Sequence, residues 1–286
     1  MKLIRFGEAG KEKPGIIDKD GNYLDCSGFQ EDWNEAFFES NGLDRLDAWL
    51  EANIAGLSKI PDNSRIGSPV ARPSKIICIG LNYRKHAIES GMAVPEIPII
   101  FMKATSSLSG PFDPIYIPKN STATDWEVEL AVVIGKRAKY VSKENAMDYV
   151  AGYCLHNDVS ERDFQLRHGG QWVKGKSADN FAPLGPFLAT KFEIPDPHHL
   201  RLWLKLNGET IQDSNTSDLV FDIPYLIEHL SQYMTLLPGD VISTGTPAGV
   251  GLGFDPPKYL SEGDVVELGI DGLGVSRQVA MKDPEA

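Results

Sequence analysis

Cysteine is scarce and scattered in this chain: Cys26, Cys78 and Cys154 are odd in number, far apart, and form no Cys-x-x-Cys. That spacing excludes a disulfide framework and a cysteine zinc site, and it fits a reducing compartment. Positive charge is also short, with 28 Lys and Arg against 40 Asp and Glu and a formal net charge of −12. A nucleic-acid binder needs a basic stripe to neutralise phosphates, so that class is set aside. No apolar run approaches 18 residues, and Met1-Lys2-Leu3-Ile4-Arg5-Phe6-Gly7 is followed by neither an apolar core nor a cleavage site. The expectation is therefore a cytoplasmic chain with no signal peptide and no transmembrane helix. Two motif classes are missing as well. Gly245-Thr246-Pro247-Ala248-Gly249-Val250-Gly251 lacks both the P-loop ending and the Rossmann spacing, and no Gly-x-Ser-x-Gly elbow occurs.

What is present reads as an α/β start followed by a β-rich body. Lys2 to Phe6 alternates as a strand, and Asp20-Gly21 lies between two short apolar pieces as a hairpin turn. Leu43, Leu46, Trp49 and Leu50 follow at helical spacing. From Pro61 to Pro73 the chain turns rich in Pro, Ser, Gly and Arg, which marks a linker and a boundary near residue 70. A small N-terminal α/β cap (1–70) thus precedes a main domain (71–286). In the latter, Ile76-Ile77-Cys78-Ile79-Gly80 is a buried strand, Asn82 to Gly91 a short helix, Ser142 to Tyr149 a helix, and Val150 to Asp158 a strand with a polar end. Asn207-Gly208 signals another hairpin, and Asp222 precedes a helix over Ile223 to Tyr233. His198-His199 reads as a surface turn.

The stretch Thr124 to Gly135 carries the chemistry. As a strand it puts Val128, Leu130, Val132 and Ile134 on one face, and Glu127, Glu129, Ala131 and Val133 on the other. Carboxylates two apart on a strand lie about 7 Å from each other, a costly pair in an apolar element unless a cation sits between them. The alternative is a solvated edge strand. Asp158, at the end of its own strand, adds a third acid. Three carboxylates suit a hard divalent ion such as Mg²⁺ or Mn²⁺ and leave positions open for substrate; zinc, which prefers Cys and His, fits less well. His86 and Glu89 are i and i+3 on the short helix, either a surface contact or a general base with its orienting acid. Asp158, Arg162 and Gln165 are spaced to share a helical face. Lys103, before the hydroxyl-rich Thr105-Ser106-Ser107, suits an anionic ligand or an ordinary turn.

Trp126 to Gly135, Asn157-Asp158-Val159-Ser160-Glu161-Arg162-Asp163, Lys174-Gly175-Lys176-Ser177 and Thr244-Gly245-Thr246-Pro247 together resemble, in order and spacing, the motif series of the fumarylacetoacetate hydrolase family. The opening heptapeptide is similar to members that hydrolyse 2,4-diketo-3-deoxy sugar acids such as the L-rhamnonate and L-fuconate derivatives. The resemblance implies an α+β fold, a mixed β-sandwich roll behind a small N-terminal domain, and a homodimer. It implies Glu127, Glu129 and Asp158 as ligands of Mg²⁺ (or Mn²⁺), and His86 and Glu89 as the dyad that activates water. Lys176 joins them as a catalytic group, with Lys103, Arg162, Gln165 and Thr246 around a small-molecule oxo or diketo acid. Decarboxylases and keto-enol isomerases use related sites, so those reactions stand beside hydrolysis, and a non-catalytic metal or organic-acid binder stands further off.

Overall fold

The computed structural model describes residues 1–89 and 91–285. Its frame is a ten-stranded sheet whose path runs Tyr23–Asp25, Lys13–Ile17, Lys2–Phe6, Leu188–Thr190, Val150–Asn157, Val128–Ile134, Val241–Ser243, Ile76–Gly80, Ile99–Lys103, with Ile66–Gly67 also paired to Lys2–Phe6. All neighbours are antiparallel except Val241–Ser243 beside Ile76–Gly80. The boundary expected near residue 70 falls between Ile66–Gly67 and Ile76–Gly80, and the sheet runs across it because Lys2 and Leu3 pair with Ala189 and Leu188. A second sheet of five strands is ordered Glu209–Asn215, Arg201–Leu206, Val265–Ile270, Gly274–Lys282, Ile115–Ile117.

The alternation in Val128–Ile134 decides how these layers pack. Val128, Leu130, Val132 and Ile134 share one core with Leu202, Leu204, Val266 and Leu268 of the five-stranded sheet. Ala131 and Val133 face the other way, into a core with Trp33, Phe37 and Leu46 of the N-terminal segment. Every residue of the strand is buried, so the solvated-edge reading falls. A strand covered on both faces needs apolar residues at nearly every position, which is why this one is a near-continuous run.

Local signals account for the helices. Asn34 caps Glu35–Glu39 by accepting from the Phe37 amide, and Asp222 caps Ile223–Tyr233 by accepting from the Tyr225 amide, with Pro224 in the first turn. Gly42–Asn53 buries Leu46 and Leu50. Two readings need correction. Lys143–Tyr149 is a 3₁₀ helix without a side-chain cap from Ser142. His198 is half-buried, its Nε2 accepting from the Ile223 amide at 3.2 Å, so only His199 is a surface residue of that pair.

Candidate active site

Register builds the acidic cluster. Val128 pairs with Asn157 and Glu129 with His156, so the next step brings Glu127 opposite Asp158, whose amide donates to the Glu127 carbonyl at 2.9 Å. The three acids come from adjacent chain ends, and one oxygen of each of Glu127, Glu129 and Asp158 lies within 4.8 Å of the others. All three are buried. Like charges this close and this dry are tolerable only if cations answer them.

Three protein cations do. Lys176, in the short helix Val173–Lys176, donates to Glu127 Oε2 at 2.8 Å and to Asp158 Oδ2 at 2.9 Å. Lys103 donates to Asp158 Oδ1 at 2.5 Å and to the Val159 carbonyl at 2.9 Å. Arg162 donates to Glu127 Oε1 at 2.7 Å, to Asp125 Oδ2 at 2.8 Å through Nε, and to Gln165 Oε1 at 3.1 Å. Burial pushes the carboxyl of Asp158 up, but Lys103 and Lys176 outweigh it and hold the group well below the usual range; burial likewise opposes, and Lys176 and Arg162 overcome, in Glu127. Burial acts against the charge of Lys176 too, yet Asp158 and Glu127 keep its ammonium firmly protonated.

Glu129 is left over. Its Oε2 accepts from the Ser243 hydroxyl and from the Gly245 amide at 2.9 Å, with no cation beside it among the described residues. Burial, with Asp158 and Glu127 close by, drives its carboxyl well above the ordinary value. Behind it, His156 Nδ1 meets Ser243 Oγ at 2.6 Å, and burial holds this imidazole neutral, its pKa lowered to about 3. A hard divalent cation fits this donor set: three buried carboxylates face one another, and one of them lacks a counter-charge. Glu127, Glu129 and Asp158 are the residues to hold it.

Glu127, Glu129, Arg162 and Lys176 of this cluster line a chamber of about 300 Å³, and Asp158 does not reach its surface. His86, Glu89, Gln165 and Thr246 also line it, with Phe101 and Trp172 as an aromatic wall. His86 Nδ1 lies 3.3 Å from Glu89 Oε2, and Glu89 in turn accepts from the Gly249 amide at 2.9 and 3.1 Å. The helix Arg84–Glu89 is thereby tied across the chamber to the glycine-rich loop. Gly253 leaves room for this, since a Cβ there would come 2.7 Å from the Glu89 carboxyl carbon. With Nδ1–H donated to Glu89, Nε2 is the free lone pair.

Most of the expected residues converge, but two expectations change. Lys103 does not line the chamber; it lies behind Asp158 and braces it. Asp158 is not on a helical face with Arg162 and Gln165, because the helix starts at Arg162, after the short strand Ser160–Glu161. Gln165 accepts from Arg162 through its oxygen, and its amide nitrogen has no partner among the described residues. Thr246 donates to the Val128 carbonyl at 3.0 Å and accepts from Gln212 at 2.9 Å. Reading the sequence missed Asp125, Ser243 and the aromatic wall. Asp125 joins Arg162 to the loop, accepting from the Gly251 amide at 2.7 Å and the Leu252 amide at 3.0 Å. It stands two residues before Glu127 on a segment already singled out, which is its one sequence signal.

Residues 75–280 match the family described as fumarylacetoacetate (FAA) hydrolase C-terminal. A protein of Burkholderia multivorans, named only provisionally as a hydrolase, is 52% identical over 280 residues, covering 98% of either chain. Among solved structures, maleylpyruvate hydrolase from Sphingobium sp. SYK-6, in complex with manganese(II) ion and pyruvate, superposes with a TM-score of 0.82 at 31% identity, over 99% of each chain. The 2-hydroxyhepta-2,4-diene-1,7-dioate isomerase from Mycobacterium marinum superposes with a TM-score of 0.76 at 30% identity, again over 99% of each.

Proposed function

The chain belongs to the fumarylacetoacetate hydrolase family, and from that premise we propose that it is a divalent-cation-dependent hydrolase that cleaves the C3–C4 bond of a 2,4-diketo acid to give pyruvate and a second acid. A 2,4-diketo-3-deoxy sugar acid is the instance suggested by the N-terminal opening. The family's mixed β-sandwich roll with an N-terminal cap, and its homodimer, belong to the same reading; sedimentation at micromolar concentration checks the dimer. The observation that carries hydrolysis is the His86 and Glu89 pair, which faces the same chamber as Glu127 and Glu129.

Held by Glu127, Glu129 and Asp158, Mg²⁺ or Mn²⁺ supplies Lewis acidity for the 2-oxo acid end and for the enolate that leaves. The rest falls to side chains. Glu89 fixes His86 so that Nε2 takes a proton from water, and the hydroxide adds to C4. The Gln165 amide N–H, without a partner among the described residues, donates to the developing C4 oxyanion in this reading. Lys176, committed to Glu127 and Asp158, acts as a fixed positive charge beside the reacting acid and is too firmly protonated to serve as a base. When the oxyanion collapses, the C3–C4 bond breaks, its electron pair passes into the pyruvate enolate, and His86 returns the proton to C3. Atoms balance as diketo acid plus water giving two acids.

An enolate-only reaction, isomerisation or decarboxylation, is the second reading, favoured by the isomerase among the structural neighbours. Neither requires an activated water. A panel of diketo acids with Mg²⁺ and Mn²⁺, pyruvate being read through a coupled dehydrogenase, separates the two. Cation-dependent pyruvate release with a matching amount of the second acid supports hydrolysis, and turnover of oxo acids without cleavage of any diketo acid contradicts it.

A further inference from the structure

We infer that the chamber takes diketo acids whose group beyond C4 is uncharged with an apolar tip, and that it discriminates against those ending in a second carboxylate. This inference rests on the diketo acid reading above.

Charge balance is the first argument. Four buried carboxylates, Asp125, Glu127, Glu129 and Asp158, meet three buried cations, Lys103, Arg162 and Lys176. With Glu129 ionised, as it is when it holds a cation, the protein side chains of the cluster are one positive charge short. A divalent cation turns that deficit into a surplus of one, which a single substrate carboxylate neutralises. A second carboxylate is left without an answer, since the cations lining the chamber, Arg162 and Lys176, already bond to Asp125, Glu127 and Asp158. Glu89, which also lines the chamber, adds a further carboxylate. An unpaired anion drawn into such a site is costly.

The rim is the second argument. Met92, Leu166 and Leu252 are large apolar residues left 52%, 48% and 39% exposed, they come from three separate segments, and all three line this one mouth. Converging exposed hydrocarbon marks a binding surface better than scattered residues do. Inside it, Trp172 lies against Gly80, where a Cβ would come 2.7 Å from its ring, and makes an edge contact with Phe101 at 5.2 Å between centroids. A tail leaving the acidic floor therefore runs past ring faces and ends among methyl and thioether groups.

A matched pair tests this: 2,4-dioxoheptanoate and 2,4-dioxoheptanedioate differ only in whether C7 is a methyl or a carboxylate. Binding is measured by calorimetry in Mn²⁺ buffer on His86→Gln, and cleavage by pyruvate release from the wild type. The expected result is a preference of at least about 100-fold for the monoanion in Kd and in kcat/KM. Leu166→Arg, a rim substitution on an exposed position, is expected to shrink that preference about tenfold by supplying the missing partner. Equal binding, tighter binding of the dianion, or binding of neither acid overturns the inference. Preferential binding of the monoanion without cleavage of either acid leaves the inference standing and overturns the hydrolase reading instead.

Discussion

At the scale of single residues, Glu129 is the group on which the proposed cation site turns. A carboxyl whose folded pKa lies above its unfolded value, near 4.3 for Glu, holds its proton more tightly in the folded state. Its ionisation therefore subtracts stability as pH rises from the unfolded value towards the raised one. In chelator, the wild type is expected to lose melting temperature across that rise, and Glu129→Gln to lose less, because its amide oxygen still accepts from Ser243 and Gly245 without the charge. Mn²⁺ should raise the melting temperature of the wild type and leave the variant nearly unchanged. Scanning calorimetry against pH, with and without Mn²⁺, measures both. A metal-free variant markedly less stable than the wild type at neutral pH would show that Glu129 is paired in some other way.

At the scale of elements, a close approach of backbone sets where Lys176, a proposed catalytic group, stands. Gly175 sits in Val173–Lys176 with its would-be Cβ 2.3 Å from the Glu161 carbonyl oxygen and 2.6 Å from Gln165. Gly175→Ala is expected to cost about 1–3 kcal/mol, visible as a lower urea midpoint, and to reduce activity by moving Lys176. Elements were legible in the sequence where their signals are local. Asp222 and Pro224 announce the helix that starts at Ile223, and Asp20-Gly21 announces the turn between Lys13–Ile17 and Tyr23–Asp25. The period of two in Val128–Ile134 showed which residues face which core and put Glu127 and Glu129 on one face, while Asp158 was read from the polar end of its own strand. Sheet order was not legible, because Lys2–Phe6 finds Leu188–Thr190 across most of the chain. For the same reason Ser243 and Phe101 stayed hidden: each acts through a neighbour remote in sequence, and nothing in its own surroundings marks it. Lys103 was noticed, but spacing could not tell a residue facing the ligand from one bracing Asp158 from behind.

At the scale of the whole molecule, the core that packs Ala131 and Val133 against Trp33, Phe37 and Leu46 also encloses the three cysteines. Cys26, Cys78 and Cys154 are all buried and free. Burial, with Asp25 nearby, pushes the Cys26 thiol up to about 12, and burial raises the other two as well. The native protein is expected to leave a thiol reagent unreacted at pH 8 and to release three equivalents once denatured; rapid labelling of any native cysteine would mean that this core opens readily. No helix among the described residues is long and apolar enough to cross a membrane.

The most direct test of the account follows both halves of the chemistry in one variant. His86→Ala, with Mn²⁺ and a diketo acid that the wild type cleaves, is assayed for pyruvate release and for deuterium uptake at C3. Loss of the base should slow release by about 10²- to 10⁴-fold, while exchange at C3, supported by the intact Glu127, Glu129 and Asp158 site, is much less impaired. Release at the wild-type rate would contradict the account, reducing the pair of His86 and Glu89 to a structural contact.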